Sequence, residues 1–166
     1  MQPLPTRPPD DVVARAMDRA LELARLARER DEVPVGAVVI GPDGEPLAEA
    51  HNETETLRDP TAHAERLALA RACAACGTTR LPEGSLLAVT LEPCAMCAGA
   101  LVLARATWLV FGALDPKAGA CGSLRDLVRD PRLNHRVALL PSRRAAECGE
   151  LLSAFFAARR GPAPEG

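Results

Sequence analysis

Two short stretches limit the folds open to this chain more than any other part of it. The triplet His63-Ala64-Glu65 begins an Ala/Leu-rich segment, and Glu92-Pro93-Cys94-Ala95-Met96-Cys97 follows directly on the apolar run Ser85–Thr90 and leads into a second such segment. Cysteines three apart in the first turn of a helix share one face. A helix N-terminus adds unpaired N–H groups and partial positive charge, which favour the thiolate over the thiol. One histidine, two thiolates and a nearby carboxylate make the donor set of a catalytic zinc, with His63, Cys94 and Cys97 as ligands and one coordination position open. Glu65, two residues past His63, projects differently around its helix and suits a proton carrier better than a fourth ligand. For these groups to meet, two helix starts must converge at one edge of a sheet, where open α/β sheets build their sites.

The rest of the chain supplies that sheet. From Asp10 to about Arg30, Val13, Met17, Ala20, Leu21, Ala24 and Ala27 recur at three- and four-residue steps, with acids at the start and arginines toward the end. That is the pattern of an amphipathic helix covering a sheet face. Val35–Ile40 and Pro46–His51 flank Pro42-Asp43-Gly44 and predict an antiparallel hairpin. A polar loop runs to Arg58. Asp59 and Pro60 then predict a helix N-cap and first helical residue, with the helix running to about Cys76 and ending at Gly77. A strand over 85–90, a helix over 94–105 and a strand over 107–111 form a βαβ crossover, which demands parallel neighbours. Beyond a glycine-rich loop at 112–123, the pattern predicts a short helix over 124–129, a strand over 137–140 and a last helix over 143–160 with Leu151, Leu152, Phe155 and Phe156 on its apolar side. The expected fold is α/β, a three-layer α/β/α sandwich with a mixed five-stranded sheet. It forms one domain over residues 10–160, between flexible Pro-rich ends at 1–9 and 161–166.

The cysteines need a redox context. The first ten residues lack a secretory pattern, and no apolar run approaches the roughly 20 residues of a membrane span. A cytoplasmic protein without membrane contact is therefore expected, and its six cysteines are read as ligands or core thiols, not disulfides. Cys73 and Cys76 make a second CxxC, and with Cys94 and Cys97 they match the spacing of a structural four-thiolate zinc site. Ten helical residues separate His63 from Cys73, about 15 Å at 1.5 Å per residue, so the two cannot hold one ion. Cys73 and Cys76 are expected to pack, and to leave His63 and Glu65 to the other pair.

Charge is lopsided: residues 1–100 carry 10 Arg against 16 Asp and Glu, and residues 101–166 carry 9 Arg and Lys117 against 6. An anionic partner would meet the C-terminal part first. Arg125, Arg129, Arg132, Arg136, Arg143, Arg144, Arg159 and Arg160 are the candidates for phosphate contact, with half of them expected to be only a solvated face.

VPVGAVV at 33–39, DPTAHAE at 59–65, VTLEPCAMCAGA at 89–100, VFGALDPKAGACGS at 110–123 and NHRV at 134–137 together resemble the bacterial tRNA-specific adenosine deaminases. The likeness runs from the first helix to about Arg160. HAE with PCxxC marks the wider cytidine deaminase-like superfamily, whereas the loop at 111–123, NHRV and the Phe-Phe helix are particular to the tRNA enzymes. The resemblance implies a homodimer with one zinc per subunit that flips the wobble adenosine out of the anticodon stem-loop of an arginine tRNA and converts it to inosine. It assigns the zinc to His63, Cys94 and Cys97 and the proton transfers to Glu65. It also implies that Asn52 hydrogen-bonds the purine and that the Ala64 N–H lies against the attacked position. Ala113, Asp115 and Lys117 would line the anticodon cleft, and Phe156 would contact the RNA loop. Pro116 departs from the small residue common there, and the Pro-rich start is unmatched. Two alternatives stay open: a guanine, cytosine or nucleotide deaminase acting on a small molecule, and a non-catalytic zinc-containing tRNA-binding subunit, against which Glu65 counts.

Overall fold

The computed structural model describes residues 5–161. In chain order its elements are α1 (Asp10–Glu29), β1 (Gly36–Ile40), β2 (Pro46–His51), α2 (Thr54–Leu57), α3 (Ala64–Ala75), β3 (Leu86–Leu91), α4 (Ala95–Leu103), β4 (Trp108–Ala113), β5 (Ala138–Leu139) and α5 (Ala145–Arg160). Successive strand side chains point to opposite faces, and each central strand uses both. Ala37, Val39, Leu87, Val89, Leu109 and Phe111 pack with the buried faces of α3 and α4. Their neighbours Val38, Ile40, Leu86, Ala88, Trp108 and Val110 pack with α1 and with Cys148 of α5. The strands lie in the order β2-β1-β3-β4-β5, with β1 antiparallel to both β2 and β3, and β3, β4 and β5 mutually parallel. The expected α/β/α sandwich with a mixed five-stranded sheet is what forms. β3-α4-β4 is its crossover.

Small residues bring the helices close to the sheet. α3 lays Ala64, Ala68 and Ala72, each fully buried, along one line four residues apart. At Gly36 a Cβ would overlap the Ala20 carbonyl oxygen and come within 2.7 Å of Ala24 N, so α1 rests directly on the β1 backbone. Larger groups fill what remains: Leu87, Leu101 and Leu109 are fully buried, each contributing about 1.5–3 kcal/mol. α5 is tied to α1 by Arg143 to Asp10 at 3.0 Å and by Arg144 to Asp18. Both pairs are exposed, so their contribution is small.

Several boundaries depart from the sequence pattern. The helix expected from Asp59 begins only at Ala64. The Asp59 carboxylate accepts the N–H and hydroxyl of Thr61 at 2.8 and 2.6 Å, closing a separate turn before the helix starts. His63 is therefore the N-cap, not a residue inside the helix. Residues 54–57, expected as loop, form the single-turn α2. No helix forms over 124–129: Cys121 bridges to Asp126, and the N–H groups of Leu124 and Arg125 both turn back to Gly119 O. The strand expected over 137–140 shortens to Ala138–Leu139, and the last helix starts at Ala145 because Arg144 takes a left-handed conformation at φ 60°. Phe155 and Phe156 do not share a face; Phe155 is buried and Phe156 is 46% exposed, since helical neighbours point about 100° apart. The flexible ends expected at 1–9 and 161–166 fall largely outside the described residues. No helix among the described residues is long and apolar enough to cross a membrane.

Candidate metal centre and active site

His63 and Cys94 occupy matching positions, the N-caps of α3 and α4. Both have extended backbones, φ −72° ψ 149° and φ −72° ψ 176°, and neither uses its side chain to cap its helix. The imidazole and the thiol are thus free to turn toward each other. Cys97, fully buried, stands one turn into α4 on the side of Cys94. His63 Nδ1 lies 3.6 Å from Cys94 Sγ and 3.5 Å from Cys97 Sγ. Zinc bonds of about 2.05 Å to nitrogen and 2.3 Å to sulfur at the tetrahedral angle put N and S about 3.6 Å apart. The spacing is that of two edges of a zinc tetrahedron, so the residues fit the metal. Their three ligand atoms lie within 4.8 Å of one another, and no fourth His, Cys, Asp or Glu among the described residues joins the group. Cys73 and Cys76 stand apart from it, which excludes the four-thiolate alternative on geometry.

The electrostatics favour a cation. The Cys94 thiol is drawn down to about 3, first by a hydrogen bond from Cys97 and then by His63, with the Cys97 N–H adding to both. Cys97 is pushed far above the thiol range by that same shared proton with Cys94 and by burial. A dication bound here would favour the thiolate form of both sulfurs. His63 is raised, chiefly by its hydrogen bond with Cys94. Glu65, 4% exposed, is pushed up to about 7 by burial, although its own N–H and the charge of His63 pull the other way.

A cavity of about 190 Å³ opens above these groups, lined by Val33, Val35, Asn52, Thr54, His63, Ala64, Glu65, Leu91, Glu92, Cys94, Asp115 and Ala118. Drug-sized pockets run from roughly 300 to 1,000 Å³, so this one suits a single planar base. Its walls are aliphatic and its polar groups few. Acid, metal donors and one amide converge on a confined space, an arrangement suited to hydrolysis at a ring carbon.

Residues 11–113 match the family described as the cytidine and deoxycytidylate deaminase zinc-binding region. Over 140 residues the chain is 50% identical to the tRNA-specific adenosine deaminase of Bacillus subtilis (strain 168), covering 84% of this chain and 86% of that protein. The chain belongs to the tRNA-specific adenosine deaminase family. A solved structure from work on A-to-I editing by tRNA:A34 deaminases superposes with a TM-score of 0.78 at 45% identity, over 84% of this chain and 99% of the other. The guanine deaminase of Nitrosomonas europaea shares the fold more distantly, at TM-score 0.68 and 26% identity over 86% of this chain and 83% of that one. The metal of this deaminase domain is zinc.

Within this deaminase, Asn52, Ala64 and Asp115 border the cavity and three other expected substrate residues do not. Ala113 is buried at the end of β4, Lys117 is exposed in the turn after Asp115, and Phe156 stands out from α5. The arginine platform is largely spent within the protein. Arg129 pairs with Asp126, Arg132 with Asp130, Arg143 with Asp10 and Arg144 with Asp18 and Glu147, while Arg159 lies over the Phe155 ring at 4.3 Å. Arg125, Arg136 and Arg160 carry no ion pair among the described residues.

Two buried carboxylates that frame the cavity escaped the sequence reading. Glu32 is fully buried and accepts the N–H groups of Glu55 at 3.2 Å and Thr56 at 2.7 Å, the Thr54 and Thr56 hydroxyls, and Asn52 Nδ2 at 3.2 Å. Burial alone would raise its pKa; these donors outweigh it and hold the carboxyl below its usual range. With Nδ2 shared between Glu32 and Thr54, the Asn52 amide is oriented and its Oδ1 is left for the cavity. Glu92 plays the corresponding part on the opposite wall, where burial is again outweighed, by donors from Ser123, Asp115 and Cys121. An acidic residue next to a proline or a valine carries no sequence signal of such a role; only adjacence to PCxxC marked Glu92.

Proposed function

We propose that this chain hydrolyses the wobble adenosine of a tRNA anticodon, that of an arginine tRNA, to inosine and ammonia. The observation that carries the reading is the His63–Cys94–Cys97 tetrahedral spacing with buried Glu65 beside it and outside the donor set, in a chain half identical to a tRNA-specific adenosine deaminase. When bound, zinc supplies a Lewis acid that acidifies water. Glu65 takes one proton from the attacking water and passes it to ring N1 as the bond to C6 forms; it then takes the second from the C6 hydroxyl and gives it to the amino group, which leaves as ammonia while the C6 carbonyl forms. A carboxyl near pH 7 in its proton affinity trades protons with little cost in either direction. Asn52 Oδ1 offers an acceptor to the base edge, and the Ala64 N–H, among the first unpaired donors of α3, lies against the ring. Val33, Val35 and Leu91 exclude bulk water from the face of the base.

A single-stranded loop displays bases already unstacked, so extrusion costs less there than from a duplex. Lys117, Phe156, Arg125, Arg136 and Arg160 are the residues offered to RNA outside the cavity, with Ala113 setting the base of the cleft loop. Residues 10–160 act as one catalytic domain in the cytoplasm.

The enzyme works as a homodimer. α4 reads Ala-Met-Cys-Ala-Gly-Ala-Leu-Val-Leu, and its outward positions Met96, Gly99, Ala100 and Leu103 fall at the spacing of one helical stripe. Leu103 is 79% exposed, and a second copy of the chain covers it. Leu103→Glu is expected to turn the dimer into a monomer in sedimentation; a dimer that persists at micromolar concentration places the interface elsewhere.

The function is tested by incubating zinc-loaded protein with an adenosine-wobble anticodon stem-loop, free adenosine, guanine and cytidine, and scoring inosine and ammonia. Inosine is expected in the stem-loop alone. Ammonia from guanine without inosine in RNA would move the chain to the guanine deaminases.

A further inference from the structure

Glu92 is 1% exposed, forms no ion pair among the described residues, and is ringed by donors from one loop. Its Oε1 accepts the N–H groups of Cys121 at 3.1 Å and Ser123 at 2.9 Å; its Oε2 accepts the N–H of Asp115 at 3.0 Å and the Ser123 hydroxyl. The main chain reinforces the grip, with Glu92 N to Ala113 O and Ala120 N to Pro93 O both at 2.8 Å and a bridge between Cys94 and Gly119. Gly119 is obligatory here, since a Cβ would overlap the Glu92 carboxylate and sit 2.5 Å from Asp115 O. Asp115 passes the order on: its Oδ1 accepts the N–H groups of Lys117 at 3.0 Å and Ala118 at 3.2 Å, shaping the turn that borders the cavity.

We infer that Glu92 is the positioning residue for the substrate wall, holding Asp115 and Ala118 at a set distance from Cys94, and so from the metal. The inference rests on the proposed function for its substrate and on the hydrogen bonds alone for its mechanics. A buried carboxylate is costly to retain, and a loop needed only to close the chain would be served by backbone pairing. Glu92 instead joins two chain segments more than twenty residues apart, one carrying the metal thiols and the other bordering the base.

Glu92→Gln separates positioning from folding. An amide nitrogen at the Oε1 place would face two N–H donors; at the Oε2 place it faces one, Asp115, because the Ser123 hydroxyl can turn and accept. Glutamine therefore settles the second way and releases Asp115 alone. The expected result is a KM for the stem-loop about tenfold higher, as loss of one charge-assisted hydrogen bond implies, with kcat lowered less than about threefold and zinc content unchanged. Gly119→Ala, which displaces the carboxylate directly, is expected to move KM the same way. A fall in kcat or in zinc content at unchanged KM, or a lower Tm with unchanged kinetics, overturns the inference in favour of a structural role. Amide exchange at Asp115 in the zinc-loaded, RNA-free protein decides the mechanics without any substrate: it quickens in Glu92→Gln if Glu92 holds the loop, and an unchanged rate overturns the inference. Wild-type protein inactive on the stem-loop would instead overturn the proposed function.

Discussion

Replacing Glu65 by alanine or glutamine is expected to lower kcat on the anticodon stem-loop by about 10³- to 10⁴-fold, the upper part of the range for a proton-transfer group. The upper part applies because one carboxyl serves both transfers, to the ring nitrogen and to the leaving amino group. No second acid stands ready among the described residues: no further His, Asp or Glu joins the donor set, and of the other cavity carboxylates Asp115 spends Oδ1 on its own turn and Glu92 accepts from Asp115, Cys121 and Ser123. Zinc content should stay at one per chain, since Glu65 is not in the donor group, and affinity for the stem-loop should change little. Stability should hold for glutamine. Burial disfavours the ionised form of Glu65, so its charge adds nothing to the folded state that an amide of equal shape fails to supply. Turnover within tenfold of wild type would show that another group carries the proton. Metal analysis and RNA binding on the same preparations separate that outcome from loss of the site.

The His63–Cys94–Cys97 cluster was legible because each half of it is local: a CxxC in a first helical turn and a histidine at a helix start state their geometry in their own spacing. The sheet was legible from short apolar runs broken by turn residues, with Val35–Ile40 and Pro46–His51 on either side of Pro42-Asp43-Gly44. What stayed hidden depends on partners far along the chain. Asp59 has the composition of an N-cap, yet its oxygen goes to Thr61, and the helix waits for Ala64. Glu32 and Glu92 bind backbone N–H groups 23 to 31 residues away, and a backbone donor leaves no mark in sequence. The helix pattern at 124–129 likewise gives way to contacts made further back, the Leu124 and Arg125 N–H groups returning to Gly119 O and Cys121 bridging to Asp126. The basic C-terminal part was visible as charge, but Arg143 and Arg144 are neutralised by Asp10 and Asp18 of α1, at the other end of the chain. Substrate class follows the same division. The residues proposed for the chemistry sit in short-range motifs, and the walls proposed to face the base are tied by the two buried glutamates.

Cys97→Ser should remove zinc and all deaminase activity, while Cys73→Ser with Cys76→Ser should keep one zinc per chain and full activity. Serine at position 97 replaces a thiolate with a hydroxyl that stays protonated at neutral pH, and the site keeps only two good donors. Cys97 is also fully buried, so no water-exposed side chain can swing in to substitute. The protein should remain folded without the metal. α3 and α4 are held by Ala68, Leu69, Ala72, Ala98 and Leu101 against the sheet, and these contacts do not involve the ion. Apo protein should therefore keep its far-UV circular dichroism and melt at a lower temperature, because zinc binds only the folded form and adds its binding free energy to stability. Adding zinc should restore the wild-type melting temperature and activity together, and leave Cys97→Ser unchanged. Zinc lost from the Cys73/Cys76 double variant would require the four cysteines to share an ion across the length of α3, which the separation of His63 from Cys73 along that helix forbids unless the metal is held somewhere other than His63, Cys94 and Cys97.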